Sequence, residues 1–127
     1  MIGSTSLTAG GGPVRGGGEA CRVWLATVPL DMRRGFDRLA EHVRTILALD
    51  PMSGHLFVFR SRSGERVKVL WWDANGYALY YKRLERGTFV FPDPVGDKQT
   101  IAIDSAQLMK LLSGLPVDIV NNASRHG

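Results

Sequence analysis

Between Arg60 and Arg86 the chain carries Arg60, Arg62, Arg66, Lys68, Lys82, Arg83 and Arg86 against Glu65, Asp73 and Glu85. Trp71, Trp72, Tyr77, Tyr80 and Tyr81 are interleaved with these charges. Cations of this kind neutralise phosphates, and aromatic faces stack on bases or pack against sugars, so the stretch has the composition of a nucleic-acid surface. Arg33, Arg34 and Arg38 form a second basic group upstream. The plainer account of such residues is that strand aromatics fill a core and edge lysines discourage strand pairing. That account suits Phe57, Phe59, Trp71 and Tyr81; Lys68, Lys82, Arg83 and Arg86 are assigned to binding.

Other chemistries find less support. Asp31, Asp37, Asp50, Asp73, Asp93, Asp97 and Asp104 could supply carboxylates for a metal-dependent nuclease, but such a site needs acids convergent on divalent cations, and no acids recur within one motif. Asp31 and Asp104 read as helix caps, Asp50 and Asp93 flank prolines, and Asp73 precedes a turn. The one cysteine, Cys21, cannot form an internal disulfide or a cysteine-based zinc site. His42, His55 and His126 lack ligand spacing and any nucleophile motif. The sequence therefore predicts no catalytic residues, no metal and no cofactor.

The elements that must position the basic residues fit one domain. The chain has 127 residues, 44% apolar and 22% charged, with a net charge of +4, which suits an acidic partner without specifying one. No apolar run reaches transmembrane length and no secretory signal is evident, so a cytoplasmic protein without membrane association is expected. Residues 1–18 hold seven of the fifteen glycines and few aliphatics, and are expected to be a disordered tail. They lack the Gly-Lys-Ser/Thr context of a phosphate loop. Residues 19–115 are expected to form the domain, with 116–127 as a flexible tail.

Arg22–Thr27 reads as a short strand ended by Pro29. From Asp31 to Leu49 the residues Phe36, Leu39, Ala40, Val43, Ile46 and Leu47 recur at helical spacing, with Asp31 as N-cap. That span places Arg33 and Arg34 in the first turn, where the helix dipole disfavours cations and an anionic partner would be welcome. Strand-forming runs follow at 55–61, 66–73, 77–84 and 88–91. The loops between them, 62–64, 74–76 and 85–87, each end in glycine, the pattern of three-residue hairpins.

Loop length sets register. Three-residue loops oppose Phe59 to Val67, Phe57 to Val69, Trp71 to Leu79 and Tyr81 to Phe91, giving a core face. The other face then carries Arg60, Arg66, Lys68, Trp72, Tyr80 and Lys82 among Leu56, Val58, Leu70 and Val90. Arg83 points to the core side near Phe89. A last helix is signalled at 104–112 by the Asp104/Gln107 capping box, with Gly114 beyond its end. Its Leu108, Leu111, Leu112 and Leu115 stripe has the aliphatic part of the outer sheet face as one candidate site. The expected fold is α+β: a four-stranded antiparallel meander plus a short N-terminal strand, packed with one long amphipathic helix and a C-terminal helix.

Three ordered motifs stand out: V-x-L-A-T-x-P-x-D-M-R-R-G-F-D-x-L at 23–39, D-P-x-S-G-H-L-F-V-F at 50–59, and W-D-x-N-G-Y-x-L-Y-Y-K-R-L-E-R-G-x-F-x-F-P at 72–92. Over residues 22–115 the chain resembles the small accessory TnpB proteins of bacterial insertion sequences of the sixty-six type (IS66). It is distinct from the large RNA-guided nucleases that share that name, which are far longer and carry cysteine pairs. It departs from the family in its Gly-rich start and in Phe91-Pro92, where many relatives show Trp-Pro. The resemblance implies a role in DNA transposition alongside a DDE-type transposase and another small accessory protein. The expected function is thus a non-catalytic accessory that binds DNA or the transposase–DNA complex through Arg33, Arg34, Arg38, Lys68, Lys82, Arg83 and Arg86. The alternative is a module that docks on the transposase through Leu70, Trp72 and Tyr80 without touching DNA.

Overall fold

The computed structural model describes residues 21–117. Five strands, β1 (Val23–Ala26), β2 (Leu56–Arg60), β3 (Arg66–Asp73), β4 (Gly76–Arg83) and β5 (Thr100–Ile103), form one sheet in the order β4-β3-β2-β1-β5. Helix α1 (Phe36–Thr45) connects β1 to β2, and α2 (Ser105–Leu112) follows β5. The expected α+β class holds, but the sheet is five-stranded and mixed rather than a four-stranded meander. β1 and β2 pair in parallel, Val23 beside Leu56, while every other pairing is antiparallel.

A strand inside a sheet needs cover on both faces, and here the sheet has a core on each side. One comprises Leu39, Ala40 and Val43 of α1 with Leu30, Met32, Phe57, Phe59 and Leu70. The other comprises Leu108, Leu111 and Leu112 of α2 with Val58, Val67, Val69, Trp71, Phe89 and Val117. α2 thus covers the Leu56 and Val58 side of the sheet, the face proposed for it from its leucine stripe. Apart from Pro116 and Val117, the two expected tails lie outside the described residues.

α2 has the caps its sequence announced. The Asp104 side chain accepts from Gln107 N at 2.7 Å, and the Gln107 amide oxygen accepts from Asp104 N at 2.8 Å. At its other end Leu115 N bonds to Lys110 O and Gly114 N to Leu111 O, with Gly114 at φ +82°, a Schellman stop. α1 is shorter than expected. Asp31 does not cap it; its Oδ1 accepts from Arg33 N at 2.9 Å, closing a local turn that competes with helix. The helix starts only after Gly35, which offers no side-chain cap, so Arg33 and Arg34 precede the helix rather than occupy its first turn.

The hairpins differ from expectation by one residue each. Ser61 N bonds to Arg66 O, leaving the four residues 62–65 as the β2–β3 turn, with Gly64 at φ +82°. The β3–β4 turn has only Ala74 and Asn75 between the paired Asp73 and Gly76. Its left-handed residue is Ala74, at φ +57°, not Gly76. The two shifts cancel for β4, whose Leu79 and Tyr81 lie with Phe57 and Phe59 as expected, but they turn β3 over. Val67, Val69 and Trp71 face α2, whereas Lys68 and Leu70 face α1.

Residues 88–91 form no strand. Phe89 instead bonds through its N–H to Gly64 O and buries its ring against the α2 side. Phe91 does not pair with Tyr81; its ring lies 5.1 Å from the Arg60 guanidinium. Arg83 is exposed, on the opposite face from Phe89. The place expected beside the meander is left open, and β5, absent from the sequence reading, pairs with β1 instead.

Candidate nucleic-acid interface

The turn before α1 and the β2–β3 turn meet at one end of the sheet and enclose an open groove of about 570 Å³. Leu30, Met32 and Tyr81 give it an apolar base, and Arg33, Arg62, Arg66, Ser61 and Ser63 give it polar walls. Asp31 is the one acid in the lining. The β2–β3 turn is held by its serines: Arg66 N donates to Ser61 Oγ at 3.1 Å, Glu65 N donates to Ser63 Oγ at 3.3 Å, and the two hydroxyls lie 3.2 Å apart. Arg62 and Arg66 are therefore carried on a pinned turn and a strand end, a rigid platform for cations.

Arg33 is exposed and bound to Asp31 through its guanidinium, with Nη2 2.8 Å from Oδ2 and Nε 3.1 Å from each carboxylate oxygen. The hydrogen bonds from Arg33 hold the Asp31 carboxyl down at about 2, so this acid is ionised under all ordinary conditions. An anion entering the groove must share Arg33 with it. Next to the groove, Arg83 pairs directly with Arg66 across the β3–β4 ladder, and among the described residues its one ion pair is an exposed contact of 3.5 Å with Glu85.

Lys68 lies beneath. Its residue is only 6% exposed, its ammonium donates to Met32 O at 2.6 Å and Arg34 O at 2.7 Å, and it sits 4.7 Å from the Tyr81 ring centre. Burial pushes its pKa down. This lysine braces the turn that carries Arg33. Lys82 is on the other face, where its ammonium donates to Leu112 O at 2.7 Å, at the C-terminal end of α2 where the dipole favours a cation. The two lysines expected on one surface are thus separated by the sheet.

Arg34 and Arg38 belong to a second groove outside α1, with Asp37, Glu41, His42, Thr45 and Ile46. Charges there are mixed. Arg34 Nη1 lies 3.4 Å from His42 Nδ1, and burial followed by the Arg34 charge lowers the His42 pKa. Arg86 is exposed after β4. Of the seven cations expected to bind DNA, the structure brings Arg33 to the groove and Arg83 beside it. It adds Arg62 and Arg66, whose signal lay in the same basic stretch.

The residues expected to dock a partner do not share a surface. Leu70 is fully buried under α1. Trp72 stacks edge-on against Tyr77 at 5.0 Å, whereas Tyr80 packs on the α2 side. Among the described residues no group of three or more His, Cys, Asp or Glu side chains could hold a metal ion, and no helix is long and apolar enough to cross a membrane.

The family model of IS66 Orf2-like proteins matches residues 21–122. The uncharacterized protein y4hO of Sinorhizobium fredii is 52% identical over 98 residues, which span 77% of this chain and 84% of that protein. The uncharacterized protein y4jC of the same organism is 43% identical over 86 residues, 68% of this chain and 69% of that protein. No solved structure matches.

Proposed function

The chain belongs to the IS66 Orf2-like family, accessory proteins of transposition, and from that premise we propose that it binds DNA through the groove of Arg33, Arg62 and Arg66. The observation that carries this reading is that three arginines line one open groove whose lining holds a single acid. Guanidinium forks match phosphate oxygens, and a fixed set of them gives affinity without reading sequence. Arg83 extends the same basic end of the sheet, and Lys68 contributes by holding the turn rather than by touching phosphate. The DNA or transposase–DNA complex of the element is the acidic partner, with transposase and the other accessory protein as neighbours in the assembly.

The test is fluorescence anisotropy of a labelled duplex over a range of salt. Arg33→Ala with Arg62→Ala should weaken binding at every sequence and flatten the plot of log K against log salt by about two units, roughly one per lost phosphate contact. Arg44→Ala, on the exposed side of α1 and paired with Glu41, should change neither. A folded double variant that keeps its affinity and slope but no longer binds transposase would replace the DNA reading with the docking one.

A further inference from the structure

We infer that the outer edge of β4 pairs with the same edge of a second copy, joining two sheets antiparallel about a two-fold axis at Tyr80. The inference is independent of DNA binding. β4 is one edge of the sheet and, at eight residues, matches β3 as its longest strand. Edges are normally guarded by proline, a bulge or outward lysine. β4 contains no proline, its eight residues pair with β3 without a break, and its one lysine is drawn in to Leu112 O.

The ladder fixes which groups remain available. Leu84 N bonds to Glu65 O, and inward and outward residues alternate along an antiparallel strand. Lys82, Tyr80, Ala78 and Gly76 therefore bond to β3, while the backbone N–H and C=O of Tyr77, Leu79, Tyr81 and Arg83 point outward. Among the described residues no backbone bond is made to these outward groups.

A second copy satisfies all four at once. With Tyr80 opposite Tyr80 of the second copy, Leu79 pairs with Tyr81 and Tyr77 with Arg83, twice each by symmetry, and every outward group meets an outward group. Charge fits as well. Lys82 and Arg83 occupy one end of β4 and the other end is neutral, so antiparallel pairing sets each cationic end against Ala78 and Tyr77 rather than against its own kind. Tyr77 offers Arg83 an aromatic face, and Leu79 packs beside Tyr81, which is 52% exposed in the single chain. A parallel arrangement would instead align cation with cation.

Light scattering after size exclusion of the full chain should give twice the 14.0 kDa mass. Tyr81→Pro removes an outward N–H without breaking a bond to β3, a position where proline is tolerated, and should halve that mass while circular dichroism keeps the sheet signal. Oxidation supplies a test that does not need Tyr81→Pro to fold. In a Cys21→Ala background, Tyr80→Cys places the two thiols at a directly facing, non-hydrogen-bonded pair, about 4.5 Å between Cα atoms, and should cross-link the two copies; Asn75→Cys, in the turn, should not. A monomeric chain, or a dimer that persists in folded Tyr81→Pro and does not cross-link at position 80, would overturn the proposal.

Discussion

Arg66 and Arg83 stand directly opposite each other across the β3–β4 ladder, at the rim of the groove that holds Arg33 and Arg62. Like charges placed so destabilise a sheet by several tenths of a kcal/mol up to about 1 kcal/mol. An anionic ligand would relieve the repulsion. Arg66→Thr should therefore raise stability in urea melts at low salt by up to about 1 kcal/mol, lose that advantage as salt is added, and weaken DNA binding. A variant less stable than the parent at low salt would show that packing of the Arg66 stem outweighs the repulsion.

Lys68 is a different kind of cation. Lys68→Met keeps an unbranched apolar stem but leaves Met32 O and Arg34 O without their donor, and unpaired carbonyls that are buried or partly buried cost about 1–3 kcal/mol together. Urea denaturation should show a loss in that range, and amide shifts in residues 30–35 should move. A variant as stable as the parent would mean that water reaches both carbonyls.

His42 gives the fold a pH dependence with a definite sign. Its folded-state pKa lies below 6.5 because burial, then the Arg34 charge, disfavours the imidazolium. The unfolded chain thus binds this proton more readily. The stabilising contribution is complete above 6.5 and is lost as pH falls from there through the lowered folded value. Thermal unfolding should shift to lower temperature between about pH 7 and 5, and His42→Gln should remove that part of the slope. An unchanged slope in the variant would place the titration elsewhere.

The β3–β4 turn carries its strain at Ala74. A residue with a Cβ at φ +57° is in the left-handed region, at a cost of about 1 kcal/mol or more, so Ala74→Gly should stabilise by roughly 0.5–1 kcal/mol after its entropic cost. Gly76 has no positive φ, and a Cβ there meets nothing within 4 Å. Gly76→Val should accordingly fall within about 0.5 kcal/mol of the parent. Equal losses from the two changes would mean that the turn has a different register.

What could be read in advance was what short-range chemistry dictates. Asp104, Gln107 and Gly114 announce both ends of α2 because caps act within a few residues. The parity of β3 was not legible: Gly64 suggests the left-handed last position of a three-residue loop, but the β2–β3 turn also takes in Glu65, and the β3–β4 turn closes with two residues, the first of them a left-handed Ala74 that propensity disfavours. The extra residue in the β2–β3 turn moved Lys68 from a surface cation to a buried brace beside Phe59. Thr88–Phe91 has strand composition, yet Phe89 is spent on a bond to Gly64 and on the α2 core. β5 has only four residues after an irregular stretch, and its strand character depends on β1, far away in sequence. Arg62 and Arg66 were visible as charges, but their convergence with Arg33 follows from two turns meeting in space.

The place of β1 has a consequence for how the chain is made. Val23 is flanked by Leu56 on one side and by Ile103 on the other, so β1, which leaves the ribosome before the other four described strands, is an interior strand of the finished sheet. It cannot be flanked on both sides until Thr100–Ile103 has been synthesised, several seconds after β1 at ordinary bacterial rates. During that interval its second edge is open, and closure requires contacts of long sequence separation, which form slowly. The nascent chain is thus committed late, and interruption of synthesis before β5 would release a sheet whose buried strand has become an edge.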